Sequence, residues 1–239
     1  MDPSKQTYLV IGATSDIGRA ICGNLASKNA NLILHGRDQK KIDQLNEQFH
    51  SSVATVSHYL ADLEDEASIN NLCQNIKQDL GRIDWIIFTA GYITTSEELK
   101  LLSFQETMRT YSVNVISPIQ ITSQLETIIS GQGGVIFISS TASLWGNGKF
   151  PVYSSAKAAL TNFGKSIGQR WSSDKRSIVV CPGPTNTQMR EYIAHDAFSH
   201  QDVAIVALTI DQIINNLFFY PTGTVVEIRN NAVRKILDD

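Results

Sequence analysis

Strand-length apolar runs recur along the chain at Tyr8–Ile11, Asn31–His35, Val53–Leu60, Ile83–Thr89, Val135–Ser139, Ser177–Cys181 and Gly223–Ile228. Several are apolar on consecutive positions, as in Trp85-Ile86-Ile87-Phe88 and Val135-Ile136-Phe137-Ile138. A strand covered on both faces reads this way, and parallel sheets are covered on both faces. Between the runs, apolar residues fall at helical spacing, for example Ile17-Ile21-Leu25 and Ile69-Leu72-Ile76. The alternation predicts a doubly wound, mainly parallel seven-stranded α/β sheet between two helical layers, with right-handed crossovers. No linker, repeat or low-complexity tract interrupts it, so a single domain over 1–239 is expected. In such sheets ligands bind beyond the carboxyl ends of the strands, where the strand order reverses. The ends of the first, fourth and fifth strands are therefore the places to look for chemistry.

Composition narrows the function classes. The chain has 239 residues, 42% hydrophobic and 18% charged, which fits a globular domain and excludes collagen-like, coiled-coil and disordered classes. A net charge of −3 leaves no electrostatic footprint for nucleic acid or an anionic membrane. No stretch approaches the roughly 18 apolar residues of a membrane span, and the run after Met1-Asp2-Pro3-Ser4-Lys5 is too short for a signal-peptide core. The three cysteines, Cys22, Cys73 and Cys181, are scattered and odd in number. Neither a disulfide framework nor a structural zinc site is expected, and a reducing, cytoplasmic setting is. His195 and His200 read as exposed loop histidines, because no third metal ligand accompanies them.

Three constellations fall at the strand ends. In Gly12-Ala13-Thr14-Ser15-Asp16-Ile17-Gly18 the first strand turns into a helix. Gly12 permits a tight turn, Gly18 lets the helix approach the sheet, and the free N–H groups of the helix start can hold a pyrophosphate. Thr14 and Ser15 add hydroxyls. Asp16 stands where a third glycine is common; beside a pyrophosphate its charge is repulsive, so it is expected to turn away and cap the helix. Further along, Tyr153 and Lys157 lie four residues apart on a predicted helix and share a face. Alone they would read as a surface pair, but the preceding strand ends Ile138-Ser139-Ser140 and brings a hydroxyl to the same sheet edge.

Taken in order, these residues resemble the short-chain dehydrogenase/reductase family in its compact single-domain branch, essentially end to end. The resemblance implies a Rossmann-type three-layer sandwich and an NAD(P)-dependent oxidoreductase acting on CH–OH or C=O groups. Gly12, Thr14, Ser15, Asp16, Ile17 and Gly18 match its cofactor turn. Asp62-Leu63 matches its adenine-contacting Asp, and Ala90-Gly91 the end of its Asn-Asn-Ala-Gly motif. Asn114, Ser140, Tyr153 and Lys157 match its catalytic Asn, Ser, Tyr and Lys. Pro182-Gly183 with Thr185 and Thr187 resembles the segment bordering the nicotinamide. Asn114, Tyr153 and Lys157 are implied to contact the cofactor as well.

The chemistry is simple to state. A ketone becomes an alcohol when hydride reaches carbon and a proton reaches oxygen. Tyr153 is the natural acid, but a phenol titrates near ~10, and a neighbouring Lys157 ammonium is expected to lower that value. The same ammonium can hold ribose hydroxyls. Ser140 can donate to the carbonyl oxygen. By resemblance, Asn114 holds a water that resupplies Lys157 with protons.

Cofactor choice turns on the second strand's end. An acidic residue there binds a ribose 2′-hydroxyl and repels a 2′-phosphate. Here that position is Gly36, followed by Arg37, whose planar fork pairs with phosphate. NADP(H) is therefore preferred, with NAD(H) possible; adjacent Asp38 is the residue that would compete for Arg37. Departures from the family pattern are Phe88-Thr89 for Asn-Asn, with Thr89 expected to tie the sheet edge through its hydroxyl, and Glu227-Ile228-Arg229-Asn230-Asn231 at the last strand. Ser143, Leu144 and Trp145 are expected to line the substrate pocket, and Gln188–His195 to cover it as a mobile lid. Trp145, Met189 and Tyr192 suit an apolar or aromatic small-molecule substrate. Trp85 is expected in the core, and the long fourth and fifth helices suggest a homodimer or homotetramer face. The leading reading is an NADPH-dependent carbonyl reductase. An NAD-dependent alcohol dehydrogenase and a non-catalytic NADP-sensing regulator are the alternatives.

Overall fold

The computed structural model describes residues 2, 4–49, 55–94, 99–171, 174–193 and 200–236. The strands are β1 Thr7–Ile11, β2 Asn31–Gly36, β3 Thr55–Leu60, β4 Ile83–Phe88, β5 Ile129–Ile138, β6 Arg176–Pro182, β7 Val225–Arg229 and β8 Ala232–Ile236. The helices are α1 Asp16–Ala26, α2 Gln39–Phe49, α3 Glu66–Asp79, α4 Phe104–Tyr111, α5 Ser117–Leu125, α6 Ala142–Trp145, α7 Pro151–Trp171, α8 Gln188–Ile193 and α9 Val203–Asn215. One sheet runs β3-β2-β1-β4-β5-β6-β7-β8, parallel up to β7. The expected doubly wound fold is present, and the order reverses between β1 and β4.

The expectation of seven strands falls one short. Asn230 and Asn231 both adopt positive φ (52° and 61°), turning the chain back so that β8 pairs antiparallel with β7. Two central residues of this kind make the tight hairpin turn that asparagine tolerates. The early part of the predicted third strand, at Val53, lies outside the described residues.

Strand alternation divides the core. Tyr8, Val10, Leu32, Leu34, Trp85 and Ile87 pack toward Ile21, Leu25, Ile42 and Ile210 of α1, α2 and α9. Leu9, Ile11, Ile33, Ile86, Phe88 and Phe137 pack toward Ile69, Leu72, Ile121 and Leu160 of α3, α5 and α7. Both faces are thereby sealed, which leaves the strands' carboxyl edge as the open surface for a ligand. A π-helical turn over Ser112–Ile116 joins α4 to α5.

Candidate active site

At that edge lies a cleft of about 780 Å³. Its floor begins at the turn after β1. Gly12 has φ +89°, and a Cβ there would lie 2.5 Å from the Ala90 backbone nitrogen. A Cβ on Gly18 would lie 2.4 Å from the Gly12 carbonyl oxygen. Both positions therefore require glycine. Ser15, not Asp16, is the N-cap of α1: its Oγ accepts from Gly18 N at 3.0 Å and donates to Gly12 O at 2.9 Å. Asp16 is the first helical residue, and its Oδ2 accepts from the backbone N–H of Gln188 at 2.8 Å. Asp16 therefore does not make the cap expected of it on its own helix, because Ser15 already fills that position; its carboxylate turns to the first amide of α8 instead. Thr89 Oγ1 donates within reach of Ile11 O (3.0 Å) and Gly12 O (2.9 Å), tying β4 to the turn where the family has an amide. Phe88 packs, stacked on Phe137 with centroids 5.1 Å apart.

Beneath the turn sits a residue that sequence reasoning passed over. His35 is buried; Gly12 N donates to its Nδ1 at 3.2 Å, and its Nε2 lies 3.3 Å from Ala61 O. Those partners call for a neutral ring protonated on Nε2. Burial pushes its pKa down to about 4, against a smaller upward pull from the Ala61 carbonyl.

At the catalytic end, α7 presents Tyr153 and Lys157 to the cleft, with Ser140 just past β5. Lys157 Nζ donates to Ile138 O at 2.9 Å and stands 5.7 Å from the centre of the Tyr153 ring. Ser140 Oγ accepts from Ala142 N at 3.2 Å, which leaves its hydroxyl proton available to the cleft it lines with Tyr153. Burial pushes the Tyr153 phenol up to about 12, against the Ser140 hydrogen bond that lowers it. Burial also pushes the Lys157 ammonium down to about 8. The expected lowering of the phenol by the ammonium is thus reversed. In a dry cleft the cost of forming phenolate exceeds the help from its neighbours. Behind them, Asn114 in the π-helical turn gives both amide hydrogens to backbone, to Tyr92 O (2.7 Å) and Thr110 O (2.8 Å).

At the other end Gly36 closes on its neighbours: a Cβ there would lie 3.0 Å from the Ile42 side chain and 3.1 Å from Thr14 Cγ2. Arg37 is 67% exposed and pairs with Glu64 at 3.7 Å. Asp38 does not compete for it, because its carboxylate accepts from Lys41 N at 3.1 Å at the start of α2. The Lys41 side chain, unremarked in the sequence, joins Arg37 on the cleft wall. Its four-residue spacing from Arg37 at the start of a helix was the signal available.

The family model for short chain dehydrogenase matches residues 6–197. The chain belongs to that family. Among relatives of this short-chain dehydrogenase, an uncharacterized oxidoreductase of Bacillus subtilis (strain 168) is 26% identical over 205 residues, 84% of this chain and 76% of that protein. The benzil reductase ((S)-benzoin forming) of Saccharomyces cerevisiae is 24% identical, covering 79% and 74%. The 3-oxoacyl-[acyl-carrier-protein] reductase of Escherichia coli (strain K12) is 27% identical, covering 79% and 77%. In fold, the short-chain dehydrogenase superposes on a short-chain type dehydrogenase/reductase from Mycobacterium ulcerans with TM-score 0.86 at 19% identity, covering 95% of this chain and 89% of that one. A blue fluorescent protein from a metagenomic library, solved with NADPH, gives TM-score 0.85 at 20% identity, covering 95% and 97%.

The family carries a nicotinamide cofactor, and the short-chain dehydrogenase's own residues fit one. The first-turn amides of Asp16 and Ile17 have no acceptor within α1, and both residues line the cleft. Thr14, Ser15, Arg37, Asp62, Leu63, Ala90, Gly91, Pro182, Gly183, Thr185 and Thr187 line it too, as do Ser140, Tyr153 and Lys157. Gly18 and Asn114 stand behind the wall, the first for packing and the second clamping the loop after β4.

The substrate side departs further from expectation. Trp145 and Met189 line the cleft. Ser143 instead turns inward, donating to Ser140 O at 2.7 Å and accepting from Thr161 Oγ1 at 3.0 Å. Leu144 packs on the core. Tyr192 is 74% exposed and lies off the wall, where Ile193 stands instead. Both displacements follow from helical turns, α6 and α8, that the short motifs did not announce. Of the expected lid, Gln188–Ile193 forms α8, and His195 lies outside the described residues. His200 is partly buried and accepts from Arg190 Nε at 3.2 Å.

Proposed function

We propose that this short-chain dehydrogenase is an NADPH-dependent reductase that converts a ketone to a secondary alcohol, with Tyr153 as the proton donor. The observation that carries the reading is the geometry at this end of the cleft: Ser140, Tyr153 and Lys157 line the same wall, with Lys157 Nζ 5.7 Å from the centre of the Tyr153 ring. The nicotinamide supplies the hydride when bound. Tyr153 gives its proton to the carbonyl oxygen as charge develops there, and Ser140 donates to the same oxygen. Lys157, still largely protonated at neutral pH, holds positive charge beside the forming phenolate and can bind ribose hydroxyls. The Asn114 side chain positions the loop that carries Gly91 and Tyr92, and its Oδ1, which accepts from Tyr92 N at 3.4 Å, has a second lone pair for a proton-relay water.

The preference for NADP(H) rests on Gly36, Arg37 and Lys41. Gly36 brings no carboxylate to read a 2′-hydroxyl, and Arg37 and Lys41 on the cleft wall offer two cations to a 2′-phosphate. Trp145, 66% exposed on the cleft wall, and Met189 support an apolar or aromatic substrate. Carbonyl reduction also fits the activities after which the benzil and 3-oxoacyl-[acyl-carrier-protein] reductases are named. A homo-oligomer through the face bearing Phe104, Met108 and Ile116, all exposed, completes the reading. A cytoplasmic setting is supported by three buried free cysteines. Among the described residues no helix is long and apolar enough to cross a membrane.

The test is initial-rate consumption of NADPH and of NADH across a panel of aliphatic and aromatic ketones. Ketone-dependent oxidation of NADPH, at least about tenfold faster than of NADH at equal subsaturating concentration, is expected. No turnover with any ketone would overturn the reductase reading, and preference for NADH would overturn the cofactor assignment.

A further inference from the structure

The aspartate in the glycine turn has no part in the chemistry above, yet it makes a contact across 172 residues of chain. Asp16 Oδ2 accepts from Gln188 N at 2.8 Å. Gln188 is the first residue of α8, so its N–H has no acceptor within that helix. Two later amides at this helix start are served locally: Arg190 N donates to Thr187 Oγ1 at 3.2 Å, and Glu191 N to Thr187 O at 3.0 Å. Asp16 supplies the acceptor for Gln188, and does so from the turn after β1.

The next residue shows what this contact holds in place. Met189 reaches back over the catalytic end. A Cβ on Gly91 would lie 3.6 Å from Met189 Cε and 3.7 Å from Lys157 Nζ, so the methionine methyl and the lysine amine border the same small space. Thr14–Ile17 and Thr187–Arg190 both line the cleft. A dinucleotide seated on the first-turn amides of α1 would lie beside both segments, which the Asp16–Gln188 bond joins.

We propose that Asp16 is a clasp: it fastens α8 to the cofactor turn, closes the cleft over the bound dinucleotide and sets how slowly the cofactor leaves. A carboxylate beside a pyrophosphate is unfavourable by itself. Here its charge faces the amino end of a helix and is held by a charge-assisted hydrogen bond. A glycine at this position could not reach across. The proposal requires only that the cleft takes a nicotinamide dinucleotide, and is indifferent to which one.

The test is the dissociation rate of the reduced cofactor, followed by stopped-flow fluorescence on displacement with excess oxidised cofactor. Fluorescence enhancement of NADPH or NADH by the unaltered protein first establishes occupancy; its absence with both would overturn the clasp together with the cofactor reading. Asp16→Ala is expected to raise the dissociation rate about tenfold, the size of one charge-assisted hydrogen bond. Gln188→Pro removes only the donor, at the first helical position where proline is tolerated, and is expected to match it. The double variant should be no faster than either single one, because both remove one bond. Asp16→Asn, which keeps an acceptor, should fall between Asp16→Ala and the parent. An unchanged rate in Gln188→Pro, slower release in Asp16→Ala, or additive effects in the double variant would each overturn the clasp.

Discussion

The two ends of the cleft hold cations under opposite conditions. Arg37, at the end of the cleft after β2, is 67% exposed and meets Glu64 across 3.7 Å of solvated surface. Lys157, at the catalytic end, is 3% exposed and rests on a carbonyl at the foot of β5. In water a charge is screened and its partners can be exchanged at little cost. In a dry site each charge is expensive, so the catalytic end shifts toward neutral groups: Tyr153 up to about 12, Lys157 down to about 8. Recognition at the exposed end is thus adjustable by single substitutions. Chemistry at the buried end depends on where one proton resides.

The largest effect expected from breaking this contrast is at the buried end. Tyr153→Phe removes the proton donor and should lower kcat by about 10²–10⁴-fold, while cofactor affinity by fluorescence titration stays within about threefold. Equal turnover by this variant would remove Tyr153 from the chemistry. At the exposed end, Arg37→Asp should raise the KM for NADPH by about thirtyfold, leave that for NADH within about threefold, and shrink in effect as salt rises from 0.05 to 0.5 M, by about a factor of three. A salt-independent change would mean that Arg37 acts through packing rather than charge.

A pH profile separates the two ends without a large perturbation. Because the Lys157 ammonium is held near 8, kcat/KM for reduction should be level around neutrality and fall about tenfold per unit well above pH 8. Tyr153, near 12, should add no fall in the same range. Lys157→Arg, charged throughout, should abolish the alkaline fall even where its overall rate is lower.

The smallest effect concerns His35, the buried support of the turn. Its folded pKa of about 4 lies below the ordinary value of 6.5, so the unfolded chain binds more protons between the two. Its contribution is fully present above about pH 6.5 and is lost as pH falls toward 4, amounting to about 3 kcal/mol at the limit. Urea unfolding at pH 7 and pH 4.5 should show this loss. His35→Asn, neutral throughout, should be less stable at pH 7 but lose less on acidification; an equal acid slope would assign the loss to other groups.

Much of the fold was legible because it rests on local pattern. Consecutive apolar positions such as Trp85–Phe88 announce a strand covered on both faces, and Trp85 is indeed buried in the core. The glycine turn was legible because only glycine tolerates φ +89° against the Ala90 backbone. What escaped depends on distant chain segments or on solvent exclusion. Ser15 caps α1 locally, but the partner that Asp16 then finds is an amide 172 residues away. The Tyr153 pKa follows from how much water the assembled cleft excludes, and no spacing of tyrosine and lysine encodes that. Inward rotation of Ser143 follows from the hydroxyl cluster it joins with Thr161 and Cys181, residues contributed by α7 and β6. The hairpin was a different kind of miss: Asn-Asn between Val225–Arg229 and Ala232–Ile236 is a turn signal that was read only as a family departure.

That hairpin also decides how the sheet ends. β7 carries Val225, Val226 and Ile228, all buried, and Glu227 sits among them, paired with Arg234 from β8. The outermost strand presents Val233 followed by Arg234 and Lys235, and cationic side chains on a rim discourage strands of other molecules from joining. A chain shortened at Asn231 would keep every group of the cleft yet bare an apolar ladder and strand a carboxylate without its guanidinium. Its failure would then be clumping on the bench, not sluggish turnover.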